Sequence, residues 1–193
     1  MNIPLQLIIL SIPSIIYIAI QKRRENKWSE ILRNIGWQNC EKKYYLWGTG
    51  IVILIGVLGW LALQLVPQDV LQNPNVSVSK YVGLTPSVTV FLSIWWKEAI
   101  YVALGEEIFF RGFLGGWLIR RYGFSIGNLV QSLFFLLPHL LLLLVSISFW
   151  PVILVQLLAG WALGWLRYHS GSILPGWLAH SLTNAFGALT TLV

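Results

Sequence analysis

Six side chains of kinds that move protons or hold charge stand in apolar surroundings in this sequence: Glu106, Glu107, Arg111, His139, His180 and Asn184. An ionised residue at the centre of a bilayer-spanning helix costs about 2.5 to 3.5 kcal/mol on the insertion scale. By default such residues face a protein interior or a wet cavity and carry function. Two adjacent glutamates in a low-dielectric site cannot both ionise cheaply unless a cation compensates. Arg111 can be that cation, because it follows Glu107 by four residues, the spacing of a same-face ion pair. Glu106 is then left for general-base work on a water. A histidine bonded to the same water would help position it, and His180 and Asn184, one turn apart, could donate to the oxyanion formed when water attacks a carbonyl. Together these residues can hydrolyse a peptide bond without a serine or cysteine nucleophile. Ser132 and Ser181 lie nearby, but neither stands in a nucleophile-elbow sequence.

The elements that must position them are membrane spans. The chain is 56% hydrophobic and 10% charged, with a mean hydropathy of +0.71. A soluble domain would carry about a quarter charged residues, so lipid must replace the missing polar coat. Apolar runs at about 3–20, 46–66, 85–118, 126–147, 150–168 and 173–193 predict an all-α, multi-pass bundle of about six spans. The third run exceeds the roughly 20 residues a bilayer needs, so it is tilted, broken or extends beyond the hydrocarbon. One integral membrane domain over 1–193 is expected, with its core at about 85–190. The formal net charge is +6, and most of the cations fall in three connections, around 21–45, 119–125 and 167–172. Six alternating spans put all three on one face, which the positive-inside rule assigns to the cytoplasm and which sets the N-terminus outside. A cleavable signal would carry its cations before the first apolar run, whereas Lys22, Arg23 and Arg24 follow it. The connection 21–45 reads as an amphipathic surface helix, with Trp28, Ile31, Leu32, Ile35 and Trp37 at roughly helical spacing. Lone Cys40 excludes an internal disulfide and suits the reducing side. Gly160 and Gly164, four apart, would let a second helix approach closely.

Depth brings the polar residues together. Counted from the cation-rich connections at 1.5 Å per residue, they lie on the order of 12 to 20 Å into the bilayer. Phe135 and His139 share one helix face, as do His180 and Asn184. Three helices can therefore place Glu106, His139, His180 and Asn184 around one point.

At these residues the sequence resembles a known family. Glu106-Glu107-Ile108-Phe109-Phe110-Arg111, Phe135-Leu136-Leu137-Pro138-His139 and His180-Ser181-Leu182-Thr183-Asn184 match, in order, the three motifs of the CPBP family of intramembrane proteases, also called the CAAX-protease or Abi family. The resemblance covers about 85–190. It implies a helical bundle with a polar cavity opening toward the cytoplasm and cleavage near that membrane surface. It makes Glu106 the water-activating glutamate and His139 its partner, with Glu107 and Arg111 supporting the site. His180 and Asn184 then bind the oxyanion or a metal. Zn2+ or another divalent metal, held by His139 and His180, is one option for the family and a metal-free glutamate mechanism is the other. The residues themselves lean away from tight zinc, because the Asn184 amide oxygen is a weak ligand and no pair of histidines stands four apart on one helix.

The expected partners are a membrane-protein or peptide substrate and the lipid bilayer, with no nucleic acid, since no basic run interleaves with stacking aromatics. A bacterial-type inner membrane suits the short connections. Two other readings of the same residues are a non-proteolytic immunity or partner-binding protein of this fold and a cation-coupled carrier. Interrupted helices in matching halves, the mark of many carriers, do not occur in this sequence.

Overall fold

The computed structural model describes residues 4–190, and for Ser77 and Val78 the backbone alone. Every regular element among the described residues is helical. The first expected span reaches one residue past this range, at 3, and the sixth reaches three, at 191–193; those ends lie outside the described residues.

Helix α1 (Leu5–Arg23) carries Pro13 inside it and shows most of its leucines and isoleucines outward, among them Leu5 at 63% exposure and Ile15 at 59%. A helix so apolar and so exposed has lipid as its solvent. The amphipathic helix expected after it is present as α2 (Trp28–Ile35). Ile31 and Ile35 are buried while Trp28 and Trp37 are exposed. Gly36, in the left-handed region at φ 73°, ends α2, as a C-cap glycine does.

After α3 (Lys43–Gln64) the chain crosses a polar connection containing the short α4 (Gln68–Leu71) and a 3₁₀ turn (Ser77–Tyr81). The overlong third run is then one continuous helical rod that is not uniformly α. α5 (Val88–Lys97) is followed by a π-helical stretch Glu98–Ala103, one α turn α6 (Leu104–Glu106), and a second π-helical stretch Glu107–Gly115 that leads into α7 (Gly116–His139). π-bulges are rare and occur most often at functional sites. These two flank the turn that holds Glu106, and the second begins at Glu107.

The rod reverses at Gly123, whose φ 76° and ψ 170° interrupt α7. A Cβ on Gly127 would collide with the backbone of Leu118 and Ile119, so the two arms lie side by side. A short α8 (Leu142–Val145) and a 3₁₀ turn (Ile147–Phe149) lead to α9 (Trp150–Ser170) and α10 (Leu174–Leu189). Among the described residues, four stretches are long and apolar enough to cross a membrane: Leu5–Arg23, Lys43–Gln64, Val88–Val145 and Ile147–Ser170.

The bundle is packed through small and polar residues. Gly160 and Gly164 of α9 face α7, where a Cβ on Gly164 would overlap the Asn128 amide. Across that seam Gln131 Nε2 donates to Gly160 O at 3.0 Å and Asn128 Nδ2 to Trp161 O at 3.1 Å. Lipid tails offer no hydrophobic drive between helices, so close approach and interhelical hydrogen bonds hold them together.

Candidate functional site

The π-helical rod, α7 and α10 bring the expected residues together. Glu107 and Arg111 form the i,i+4 ion pair, Nη1 to Oε1 2.9 Å, with both side chains wholly buried. The Arg111 guanidinium also lies over the Phe135 ring, 4.0 Å from its centroid. Phe135, fully buried, in turn meets the His139 and His180 rings at 4.7 and 5.8 Å between centroids.

Glu107 is paired with Arg111 and therefore accepts, so His180 Nδ1 donates to its Oε1 at 3.0 Å. The other ring nitrogen, Nε2, then faces Glu106 Oε2 at 3.5 Å. Glu106 Oε1 is occupied by Gln6 of α1, whose amide Nε2 donates to it at 2.6 Å. One oxygen of Glu106 is thus fixed and the other turned to His180. His139 donates Nδ1–H to the carbonyl of Phe135 at 2.8 Å. A carbonyl can only accept, so in the neutral ring Nε2 is left as an acceptor.

Asn184 makes a contact that the motifs do not announce. Its Nδ2 donates to Glu98 Oε2 at 3.4 Å. Glu98 is buried, and its other oxygen accepts from Tyr81 Oη at 2.9 Å and Lys80 Nζ at 3.2 Å. Burial first, then the neighbouring Glu98 charge and its hydrogen bond, pushes the Tyr81 hydroxyl well above the usual tyrosine range, so Tyr81 stays a donor. Spacing offered a faint signal for Glu98, a carboxylate eight residues before Glu106 in the same apolar run. Gln6 offered none.

Neither nearby serine is free to act as a nucleophile. Ser132 Oγ donates to Asn128 O at 2.7 Å, and Ser181 Oγ donates to Leu178 O at 3.0 Å while accepting from Trp95 Nε1. His139 and His180, the expected ligands for zinc, do not join a third His, Cys, Asp or Glu in a ligand group among the described residues.

Glu106, His139, His180 and Asn184 all line one cavity of about 820 Å³. Its size is that of a pocket for a substantial ligand. Gln6, Glu98 and Tyr81 also line it, and α3 and α9 close it with apolar side chains such as Val52, Leu63 and Val155. The lining reaches Val76, Lys80 and Thr190 but takes no residue from the cation-rich connections 21–45, 119–125 and 167–172. The resemblance led to the expectation of an opening toward the cytoplasm; the lining gathers around the connection that holds Val76, Lys80 and Tyr81 and not around the cation-rich ones. The reason is positional: Glu106 is midway along its rod, His139 ends the arm of α7 that leaves Gly123, and Asn184 is more than two turns into α10.

Comparison with known proteins bears on the same stretch of chain. Residues 87–186 match the family described as type II CAAX prenyl endopeptidase Rce1-like, and they hold Glu98, both π-helical stretches and all three motifs. No curated protein and no solved structure matches the chain. The match spans more than half of the sequence, and the chain, an integral membrane protein, belongs to the type II CAAX prenyl endopeptidase Rce1-like family.

Proposed function

We propose that this protein is an intramembrane endopeptidase in which Glu106 activates the attacking water. The observation that carries the reading is Glu106 Oε2 set 3.5 Å from His180 Nε2, on the wall of the cavity and beside the fully buried Glu107–Arg111 pair. A water between Glu106 Oε2 and His139 Nε2 has two acceptors for its two protons. Glu106 takes one proton as the oxygen attacks the carbonyl carbon. His180, protonated on Nε2, and the second N–H of Asn184 donate to the oxyanion. Collapse of that intermediate breaks the C–N bond, and Glu106 returns its proton to the departing amine. No step is routed through a metal.

Six passes fit the traces of α1, α3, the two arms that meet at Gly123, α9 and α10. With the cation-rich connections in the cytoplasm, the cavity belongs to the opposite half of the membrane. A cytoplasmic opening rested on resemblance alone, whereas the charge asymmetry is written in this chain. Cleavage within the bilayer, reached from the cation-poor side, is the reading that both observations support. Substrates are peptides or membrane proteins, and the prenylated tail in the family's description is the first to try against the apolar part of the cavity.

The test is cleavage of a labelled prenylated peptide and of a panel of membrane-anchored peptides by wild type and Glu106→Gln in liposomes. The variant should keep its fold and Gln6 contact while losing activity by a factor of about 10³ or more, the scale of a lost general base with its positioning. Retained cleavage by Glu106→Gln would refute the assignment. Metal content and chelator sensitivity, measured on the same preparation, test the metal-free step.

A further inference from the structure

A second polar site lies at the opposite, cation-rich end of the bundle. There α2 ends against the rod, where a Cβ on Gly112 would meet Ile35 O and one on Gly116 would meet Asn34 O. Arg120 Nη1 donates to Asn34 O at 2.9 Å, and Arg167 Nη2 lies 3.3 Å from both Arg33 O and Asn34 O. These two guanidinium groups therefore cap the C-terminal carbonyls of α2, Asn34 O and, alongside the Gly36 N–H, Arg33 O.

Capping does not account for everything gathered there. Each guanidinium has five N–H donors, and the caps use few of them. Arg167 Nε is buried with no hydrogen-bond partner. Arg33, exposed, brings a third guanidinium that among the described residues has neither an ion-pair nor a hydrogen-bond partner. All three arginines line one pocket of about 300 Å³, with Gln38 and Tyr168 and without a carboxylate. Three like charges converging on a recess, each with donors to spare, are the complement of a multiply charged anion with several acceptor oxygens.

We propose that this pocket binds a phosphate group. The guanidinium fork matches phosphate oxygens two at a time. The pocket takes Arg33, Arg120 and Arg167 from the connections 21–45, 119–125 and 167–172, which the positive-inside rule sets at the membrane surface, within reach of an anionic lipid headgroup. A headgroup and a free phosphate share this chemistry. Bound there, the phosphate ties α2 to α9 and to the rod just beyond Arg111, at a distance from the cavity that holds Glu106.

The site can be tested without any substrate of the protease. Full-length protein in neutral detergent is titrated with dioleoylphosphatidylglycerol, with dioleoylphosphatidylcholine and with inorganic phosphate, reading bound ligand by native mass spectrometry and stability by thermal melting. Saturable binding of phosphatidylglycerol, at least tenfold tighter than of phosphatidylcholine, assigns a lipid headgroup. Stabilisation by inorganic phosphate without such lipid preference assigns a soluble phosphate. Either result must weaken roughly tenfold in Arg33→Gln, the loss expected when one charge-assisted contact goes. Arg33 caps nothing, so the ligand-free variant should melt as wild type does. Arg167→Lys, which keeps the charge without the fork, should weaken binding as well. Absence of saturable binding to wild type overturns the proposal, as does binding that neither variant changes.

Discussion

Arg111 is the residue whose removal the packing predicts most sharply. Its guanidinium is wholly buried, 2.9 Å from an equally buried Glu107 and 4.0 Å above the Phe135 ring. Deleting one partner of such a pair leaves the other charge stranded, at about 3 to 5 kcal/mol. The ring contact adds on the order of 2 kcal/mol when desolvated, though the two losses overlap. Against a total stability of roughly 5 to 15 kcal/mol, Arg111→Met alone should remove a fifth or more. Glu107→Gln with Arg111→Met is a different perturbation. No charge remains to be stranded, and the glutamine oxygen still accepts from His180 Nδ1. The double variant should recover most of the loss and stay within about 2 kcal/mol of wild type, the residue of a shape change in a packed site. SDS titration of the purified protein in mixed micelles, followed through tryptophan fluorescence, measures all three. A cost below about 1 kcal/mol for Arg111→Met would refute the argument. So would a double variant as unstable as the sum of its parts.

Three further outcomes rest on the packing and the polar contacts. Gln6→Leu removes the 2.6 Å bond to Glu106 Oε1 and frees the carboxylate to rotate, so kcat should fall roughly tenfold with KM little changed, as steady-state cleavage assays will show. Gly164→Ala forces a Cβ into the Asn128 amide and should cost about 1 to 3 kcal/mol, whereas Gly56→Ala, with open space at its Cβ, should be neutral or slightly stabilising in the same SDS titration. Burial, only partly offset by hydrogen bonds from Tyr45 and Ser172, pushes the Cys40 thiol up. Its alkylation should therefore lag behind a free thiol at pH 8 and catch up only above the usual thiol range, while an impermeant maleimide should reach it in inverted vesicles and not in intact cells. Labelling from outside would reverse the assigned orientation.

The helical architecture was legible because lipid as solvent leaves a coarse signature. Runs of apolar residues bounded by Lys22-Arg23-Arg24 and Arg120-Arg121 mark helix ends to within a few residues, as α1, α3 and α9 show. The overlong run 85–118 announced an irregularity without saying which. A π-bulge has no composition of its own, since it arises where the backbone accommodates what packs against it. Here those neighbours come from distant segments: a Cβ on Gly105 would strike Leu7 of α1, and Trp177 Nε1 donates to Ala99 O at 2.8 Å.

The site separates along the same line. Glu107 with Arg111, Phe135 with His139 and His180 with Asn184 are pairs within one turn, and short-range spacing reveals such pairs directly. The residues that hold those pairs in place come from elsewhere in the chain. Gln6 fixes Glu106 across a sequence separation of 100, and Glu98 ties Asn184 to Tyr81 and Lys80. Neither bond can be read from a periodicity, because each depends on which way two helices turn when they meet. The placement of the cavity follows from these same two residues. Gln6 enters from the end of α1 far from Lys22, and Glu98 is tied to the connection that holds Lys80. A site built around Glu106 and braced by both must therefore lie in the half of the bundle away from the cation-rich connections. The polar contacts place the cavity within the bundle and the charge pattern proposes how the bundle is oriented, which is why the labelling of Cys40 bears on the chemistry as well as the topology.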